Sequence, residues 1–303
     1  MTVSLRKILG KLPIIKIFLI RIYEVYFEIV FSIYQTLNIK IFYPLVNKSK
    51  VKFFSKGQIA KGLFLHEFEK NELDAFQSLV NQGSIIIDAG ANIGLYSIIG
   101  SKLVGDSGRI YSFEPSKTTF NLFKNNILLN QVTNITAINK GLGDKMGETL
   151  ILNHNNETGD AENYISNSTL NNLESVNDGS AEVIVIDSLD NFQYENSISK
   201  VDFLKVDVEG YEYYVLKGAE NLLRENPDII ILFECADHLA KRAGSSQNEV
   251  FNFLNKLGFE LAYWNEKLKK WICDKTDPIN SGQFLASRNI FTILQKLTDK
   301  SIS

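Results

Sequence analysis

Short acidic stretches at the ends of apolar runs carry the chemistry legible in this chain. The run IIIDAGANIG (Ile85–Gly94) stops at Asp88 and breaks into Gly90 and Gly94. Glycine in such a turn permits a positive φ and lets a ligand approach the backbone. A helix opening near Asn92 adds free amide donors. A second run, YSFEP, ends at Glu114, and GLGD ends at Asp144. The run KVDVEG holds Lys205, Asp207 and Glu209, and a later run ends in Glu234.

The turn after Asp88 reads GANIG and lacks the middle glycine of a GxGxxG pyrophosphate cradle. A carboxylate pointing into that turn repels a pyrophosphate and attracts a cation, directly or through water. S-adenosylmethionine carries an ammonium and a sulfonium, so charge favours it over a nicotinamide dinucleotide. Glu114 at a strand end is suited to accept from two ribose hydroxyls. Asp144 is placed to accept from an adenine amino group, or to serve as a turn residue.

In KVDVEG, period-two spacing puts Lys205, Asp207 and Glu209 on one face of an extended strand end, Val201–Glu209. Transfer of that cofactor's methyl is an in-line displacement in which a protic acceptor loses its proton as the bond forms. Asp207 is the expected base or acceptor-orienting group, helped by Glu209 and Glu234. Lys205 positions a carboxylate or stabilises an oxyanion. A second possibility is Mg²⁺ or Ca²⁺ held by Asp207, Glu209 and Glu234 through oxygen alone, less favoured than a metal-free site. A third is structural, with Lys205 pairing an acid and Glu209 capping the next helix. His238, four residues after Glu234, is either a base at the crevice mouth or a surface-loop histidine. His66 and His154 suggest no role, and Cys235 reads as packing.

The elements that must position these residues alternate. Helical spacing covers Glu67–Val80, then a buried strand Ser84–Ile87, then a helix from about Asn92 to Leu103. A strand at Arg109–Phe113, a helix at Thr118–Leu129 and a strand at Ile135–Ile138 follow. Met146–Leu152 and Ala181–Ile186 read as strands flanking a polar stretch, Asn153–Ser180. There Tyr164, Asn167, Ser168 and Thr169 are candidates to touch a hydroxylated acceptor. The rhythm resumes with a strand at Val201–Val206, a helix at Tyr213–Glu225 and a strand at Ile229–Phe233. A helix at Asn248–Leu257 and strands at Phe259–Trp264, Leu268–Ile272 and Phe284–Ser287 complete it. Alternation of this kind predicts an α/β fold with a mostly parallel sheet covered on both faces.

The 303 residues accommodate one large α/β domain with an appendage, expected as an extension over 1–66 and a domain over 67–303. A formal net charge of −3 gives no global basic field, so nucleic acid is not an expected partner. Two cysteines, Cys235 and Cys273, cannot build a disulfide framework and suit a reducing, cytoplasmic setting. Leu12–Tyr34 is apolar but interrupted by Arg21, Glu24 and Glu28, which with Ser32 and Gln35 form a narrow polar strip on a helix. The segment therefore suits packing on its own domain or in a homodimer, or peripheral contact with a membrane, better than a span.

DAGANIGLYS, FEP, GLGD, KVDVEGYEYYVLKGA and the pair Phe233–Glu234 together resemble the FkbM family of S-adenosylmethionine-dependent methyltransferases, over roughly Glu72–Ser287. The resemblance implies a Rossmann-like seven-stranded sheet with one antiparallel strand, at Phe284–Ser287. It implies O-methylation of a natural product, sugar or lipid-linked glycan. It also places Asp88, Gly90, Asn92 and Gly94 in the cofactor turn and Glu114 on the ribose, with Asp144 near the adenine. Two other readings are weighed against it: a nicotinamide oxidoreductase on a similar sheet, opposed by Asp88 and the missing glycine, and a non-catalytic binding protein, opposed by the presence of Asp88, Glu114 and Asp207.

Overall fold

The computed structural model describes residues 68–154, 179–273 and 281–300 continuously, with 41–44, 50–53, 62–63, 163–165, 176 and scattered positions between 22 and 33. The chain divides into two compact units, Met1–Ile41 and Phe42–Ser303. In the first, Ile22, Val25, Tyr26, Ile29 and Ile33 are helical and exposed. Their spacing marks one apolar stripe. The expected polar strip at Arg21, Glu24 and Glu28 lies outside the described residues. No helix among the described residues is long and apolar enough to cross a membrane.

The larger unit opens with β1 (Ile41–Pro44) and β2 (Lys50–Phe53), a two-stranded sheet, and α1 (Lys70–Leu79). Then come β3 (Ile85–Ala89), α2 (Leu95–Val104), β4 (Arg109–Phe113), α3 (Lys117–Asn130) and β5 (Ile135–Ile138). A side sheet follows from β6 (Gly141–Leu142), β7 (Thr149–Asn153), β8 (Tyr164–Ile165) and β9 (Ala181–Asp187), in the order β6-β9-β7-β8. After α4 (Leu189–Glu195) come β10 (Phe203–Val206), α5 (Glu212–Lys217), α6 (Glu220–Glu225) and β11 (Ile230–Ala236). The remainder is α7 (Asp237–Ala243), α8 (Gln247–Lys256), β12 (Glu260–Asn265), β13 (Lys270–Ile272), β14 (Ser281–Ser287) and α9 (Ile290–Lys300).

The main sheet runs β13-β12-β14-β11-β10-β3-β4-β5. Strands β5, β4, β3, β10 and β11 are mutually parallel, and β14 is antiparallel between β11 and β12. This is the expected mostly parallel sheet with its antiparallel strand at 281–287. An eighth strand is added because β13 folds back as a hairpin on β12. The central strands are apolar throughout because both faces are covered: Ile86, Ile87, Leu204, Val206, Ile231 and Phe233 are all buried.

The chain proceeds from β3 outward through β4 to β5, then returns to lay β10 on the other side of β3. Strand order therefore reverses between β3 and β10. In an open α/β sheet, ligands settle outside the carboxyl ends of the strands at such a point. Asp88 and Lys205 stand in register there on adjacent strands.

The expected single helix over 213–225 is two helices, α5 and α6, broken at Gly218. A Cβ on Gly218 would lie 1.9 Å from the Gly143 carbonyl oxygen. The helix breaks where the chain after β6 packs against bare backbone, and Lys217 pairs with Asp144 beside it at 2.7 Å. Helices α4, α7 and α9 were not expected from the sequence. Gly218→Ala is expected to lower stability by roughly 1–3 kcal/mol, as overpacking does. Urea unfolding measures it, and an unchanged midpoint would show that the two segments separate easily.

Candidate active site

At the switch point lies a cavity of about 500 Å³, within the range of small-molecule sites. Backbone from the turn after β3 (Gly90–Ile93) forms one wall, and Glu114 and Pro115 after β4 form the next. Lys205 in β10, Asp207, Val208 and Glu209 just after it, and Glu234 and Ala236 in β11 face them. Gly141 and Leu142 close the side toward the small sheet, with Asn163 and Ile165 beyond.

Gly90 has φ 82°, and a Cβ there would lie 1.8 Å from the Asp207 carbonyl oxygen. The turn after β3 and the end of β10 thus meet through bare backbone, which brings the two halves of the sheet to one site. Asn92 also sits at positive φ, 49°, and its amide donates to Glu114 Oε2 at 2.8 Å. The Ser116 amide donates to Glu114 Oε1 at 2.9 Å. Each carboxylate oxygen accepts up to two bonds, so Glu114 is fixed in place with acceptor capacity left for a pair of hydroxyls. Burial pushes its carboxyl up to about 8, against the two amides.

Asp88 does not point into the turn as expected. It is buried, 1% exposed, and is absent from the cavity wall. Its Oδ2 accepts from Ser97 Oγ at 2.5 Å, and Ser97 in turn meets Ser112 Oγ at 2.7 Å. The hydroxyl in the first turns of α2 lies directly behind the strand end and draws the carboxylate inward. Burial raises Asp88, opposed by Lys205 and by the Ser97 hydroxyl.

The carboxylate that lines this end of the cavity is instead Glu69, one residue before α1. It sits at φ 41°, makes no capping bond to its own helix and accepts from the Tyr96 hydroxyl at 2.6 Å. Burial pushes Glu69 up to about 7, with Lys205 opposing and Asp207 adding to the shift. Nothing in the sequence separated Glu69 from its neighbours Glu67 and Glu72; the only signal was Tyr96 in GLYS, one helical step past the glycine turn.

Lys205 is 3% exposed. Its ammonium bonds Asp207 Oδ2 at 2.7 Å and lies 4.4 Å from the Tyr96 ring centroid. Burial alone would push Lys205 down, but Asp207, Glu69 and Asp88 together hold it above its ordinary value. The extended alternation expected over KVDVEG stops early. Strand β10 ends at Val206, and Glu209 turns to φ 54° with Gly210 at 103°. The Cβ of any other residue at 210 would meet the Leu239 carbonyl oxygen at 2.4 Å. Asp207 and Glu209 both reach the cavity, but not as one strand face. Glu209 does not cap the next helix; Glu212 Oε1 takes the amides of Val208 and Gly210, at 3.2 and 3.1 Å.

Glu234 lines the cavity opposite. Burial, then the neighbouring Asp207 and Glu209, push its carboxyl up to about 9. His238 lies exposed on α7 and lines the mouth of the cavity; it is helical, not in a loop. Asp144 is drawn away into its pair with Lys217 and is not among the lining residues. Gly94 is likewise not at the wall. Its φ of 86° starts α2, and a Cβ there would run into the Phe123 ring at 2.1 Å. Of the acceptor candidates, Tyr164 is described; Asn167, Ser168 and Thr169 lie outside the described residues. Among the described residues, no three His, Cys, Asp or Glu side chains are grouped to hold a metal ion.

A mostly parallel sheet with this reversal, an antiparallel β14 set between β11 and β12, and a glycine turn after β3 is the architecture of a methyltransferase of the Rossmann-like class. The family model described as methyltransferase FkbM domain matches residues 88–261, more than half of the chain, and the chain belongs to that family. It is 32% identical over 149 residues to "Methyltransferase 1" of Beauveria bassiana, covering 46% of this chain and 59% of that protein. It is 29% identical over 163 residues to "Methyltransferase sdnD" of Sordaria araneosa, covering 45% and 60%. The chain thus spans about 60% of the length of these curated relatives. Among solved structures it is similar to a SAM-dependent methyltransferase from Aquifex aeolicus, at TM-score 0.39, 14% identity and coverage of 71% and 87%. Another is a SAM-dependent O-methyltransferase from Thermotoga maritima, at TM-score 0.40, 12% identity and coverage of 81% and 77%.

The residues present fit the cofactor expected from the sequence, S-adenosylmethionine. Glu114 keeps acceptor capacity for two hydroxyls, and Glu69 and Asp207 line the cavity for a ligand that brings its own positive charge.

The raised acids set the pH dependence of the cofactor-free protein. A carboxyl raised on folding keeps a proton that the unfolded chain gives up near pH 4.5, so its contribution is complete below that pH and lost above it. Melting temperature should fall as pH rises from about 4.5 through about 7, 8 and 9, as Glu69, Glu114 and Glu234 ionise. Glu114→Gln should flatten the fall. A wild-type profile flat over that window would contradict the burial described here.

Proposed function

We propose that this chain transfers a methyl group from S-adenosylmethionine to a hydroxyl of a sugar, glycolipid or related small molecule. The observation that carries the reading is the convergence, in one cavity, of a ribose-type acid (Glu114) with the cluster of Lys205, Asp207, Glu209 and Glu234. The bound donor supplies an electrophilic methyl on a positively charged sulfur, whose electron pair stays with sulfur as the new oxygen–carbon bond forms.

The protein supplies position and a proton acceptor. Glu114, fixed by the Asn92 and Ser116 amides, takes the ribose hydroxyls. Glu69, oriented by Tyr96, receives the ammonium that the sequence assigned to Asp88; Asp88 acts behind it by sharing Lys205. At the other end, Asp207 is held by Lys205 through one oxygen, orients the acceptor hydroxyl and receives its proton. Glu234 stands protonated at neutral pH and donates a hydrogen bond to the acceptor, and His238 at the mouth passes the proton to solvent.

Titration with S-adenosylhomocysteine tests the donor site. Glu69→Gln should weaken that binding about ten- to hundredfold, the scale of a charge-assisted bond. Binding of 5′-methylthioadenosine, which lacks the amino-acid end, should stay unchanged. Equal losses for both ligands would remove Glu69 from the ammonium site; no binding of either by folded protein would overturn the donor assignment. With an acceptor in hand, Asp207→Asn should lower kcat by about 10² to 10⁴, the usual worth of a positioned base. Full turnover by the variant would rule out this role.

A further inference from the structure

Three cations line the cavity: Lys140, Lys205 and Arg242. Two are neutralised, Lys140 by Asp187 at 2.7 Å and Lys205 by Asp207 at 2.7 Å. Arg242, in the last turn of α7, has no carboxylate partner among the described residues. Its hydrogen bond runs from Nη2 to the Glu209 carbonyl oxygen at 3.2 Å, and its Nε is buried without an acceptor.

The guanidinium is nevertheless held in a fixed plane. It stacks on the Tyr164 ring at 3.7 Å from the centroid. Tyr164 is in β8, between Asn163 and Ile165, which line the cavity wall. Partial burial of a charge without a counter-charge is unfavourable unless something completes it. A planar guanidinium gripped by an aromatic face, with donors left over, matches a carboxylate or phosphate in a forked bond. The donor's one carboxylate shares a carbon with the ammonium assigned to Glu69, so an anion held at Arg242 does not belong to the donor.

From this we infer that the acceptor is anionic: it carries a carboxylate or phosphate that Arg242 binds, with Tyr164 holding the guanidinium in place, while its hydroxyl lies toward Asp207. The inference rests on the methyl-transfer reading and specifies its acceptor class. Arg242 is then a specificity residue that touches the acceptor away from the reacting oxygen.

The test is calorimetric. Wild type and Arg242→Gln are first titrated with S-adenosylhomocysteine, then, with that ligand saturating, with inorganic phosphate, glucuronate and glucose. Both proteins should bind S-adenosylhomocysteine equally. Phosphate, glucuronate or both should bind the wild type saturably, and about tenfold or more weakly in Arg242→Gln, as expected for a charge-assisted contact. Glucose should not distinguish the two. Arg242→Lys, which keeps the charge but not the fork or the stack, should fall between. Preference for phosphate identifies a phosphorylated acceptor, and preference for glucuronate a carboxylated one. Anion binding unchanged in Arg242→Gln, or no saturable anion binding by a wild type that binds S-adenosylhomocysteine, overturns the inference alone. Failure of S-adenosylhomocysteine itself to bind overturns the methyl-transfer reading, and this with it.

Discussion

The buried ammonium of Lys205 is the interaction on which the site depends. Taking a lysine out of water is costly, and the cost is offset only by close partners. Here Asp207 bonds it directly, the Tyr96 ring faces it, Asp88 stands in register across the strand pair, and Glu69 adds charge from outside the sheet. These partners come from four places: the end of β10, the first turn of α2, the end of β3 and the residue before α1. One charge therefore ties together the two sides of the strand reversal and the helix that leads into it. Neutralising it would leave three carboxyls facing one another with nothing between them.

Much of this was legible from the chain. The parallel strands announce themselves as unbroken apolar runs, and each run that ends in an acid marks a strand end at the cavity. That is why Glu114 and Asp207 line the cavity just past β4 and β10; Glu234 lines it from within β11, which runs on to Ala236 rather than stopping at Phe233. Direction was not legible. Asp88 turns inward because Ser97 waits behind it, and a rotamer chosen by a hydroxyl nine residues away leaves no trace in spacing. Glu209 and Glu212 are equally acidic and nearly adjacent. Only the positive φ at 209 and 210 decides that the second caps the turn and the first faces the cavity. Asp144 was misplaced for a related reason, since its partner Lys217 lies far along the chain. Glu69 belongs to no strand end, so no rule about strand ends could find it.

The cavity divides by origin. One wall is built from β3, β4 and their turns, a part of the sheet whose backbone is pinned by Gly90 against Asp207. Another draws on α7 and on the small sheet through Asn163 and Ile165. An element inserted after β5 can vary in length and polarity without disturbing the pinned part, because loops at the edge of a scaffold tolerate change that packed strands do not.

The strand order also has a consequence for how the molecule is assembled. Strands β3, β4 and β5 can pair as soon as the first half of the chain exists, and that early sheet already contains Asp88. Its lysine arrives only with β10, from the second half, and must be inserted between β3 and β11. The charge that offsets Asp88 is thus a contact between the two halves of the sequence, and a fragment ending before β10 would hold that carboxylate without it.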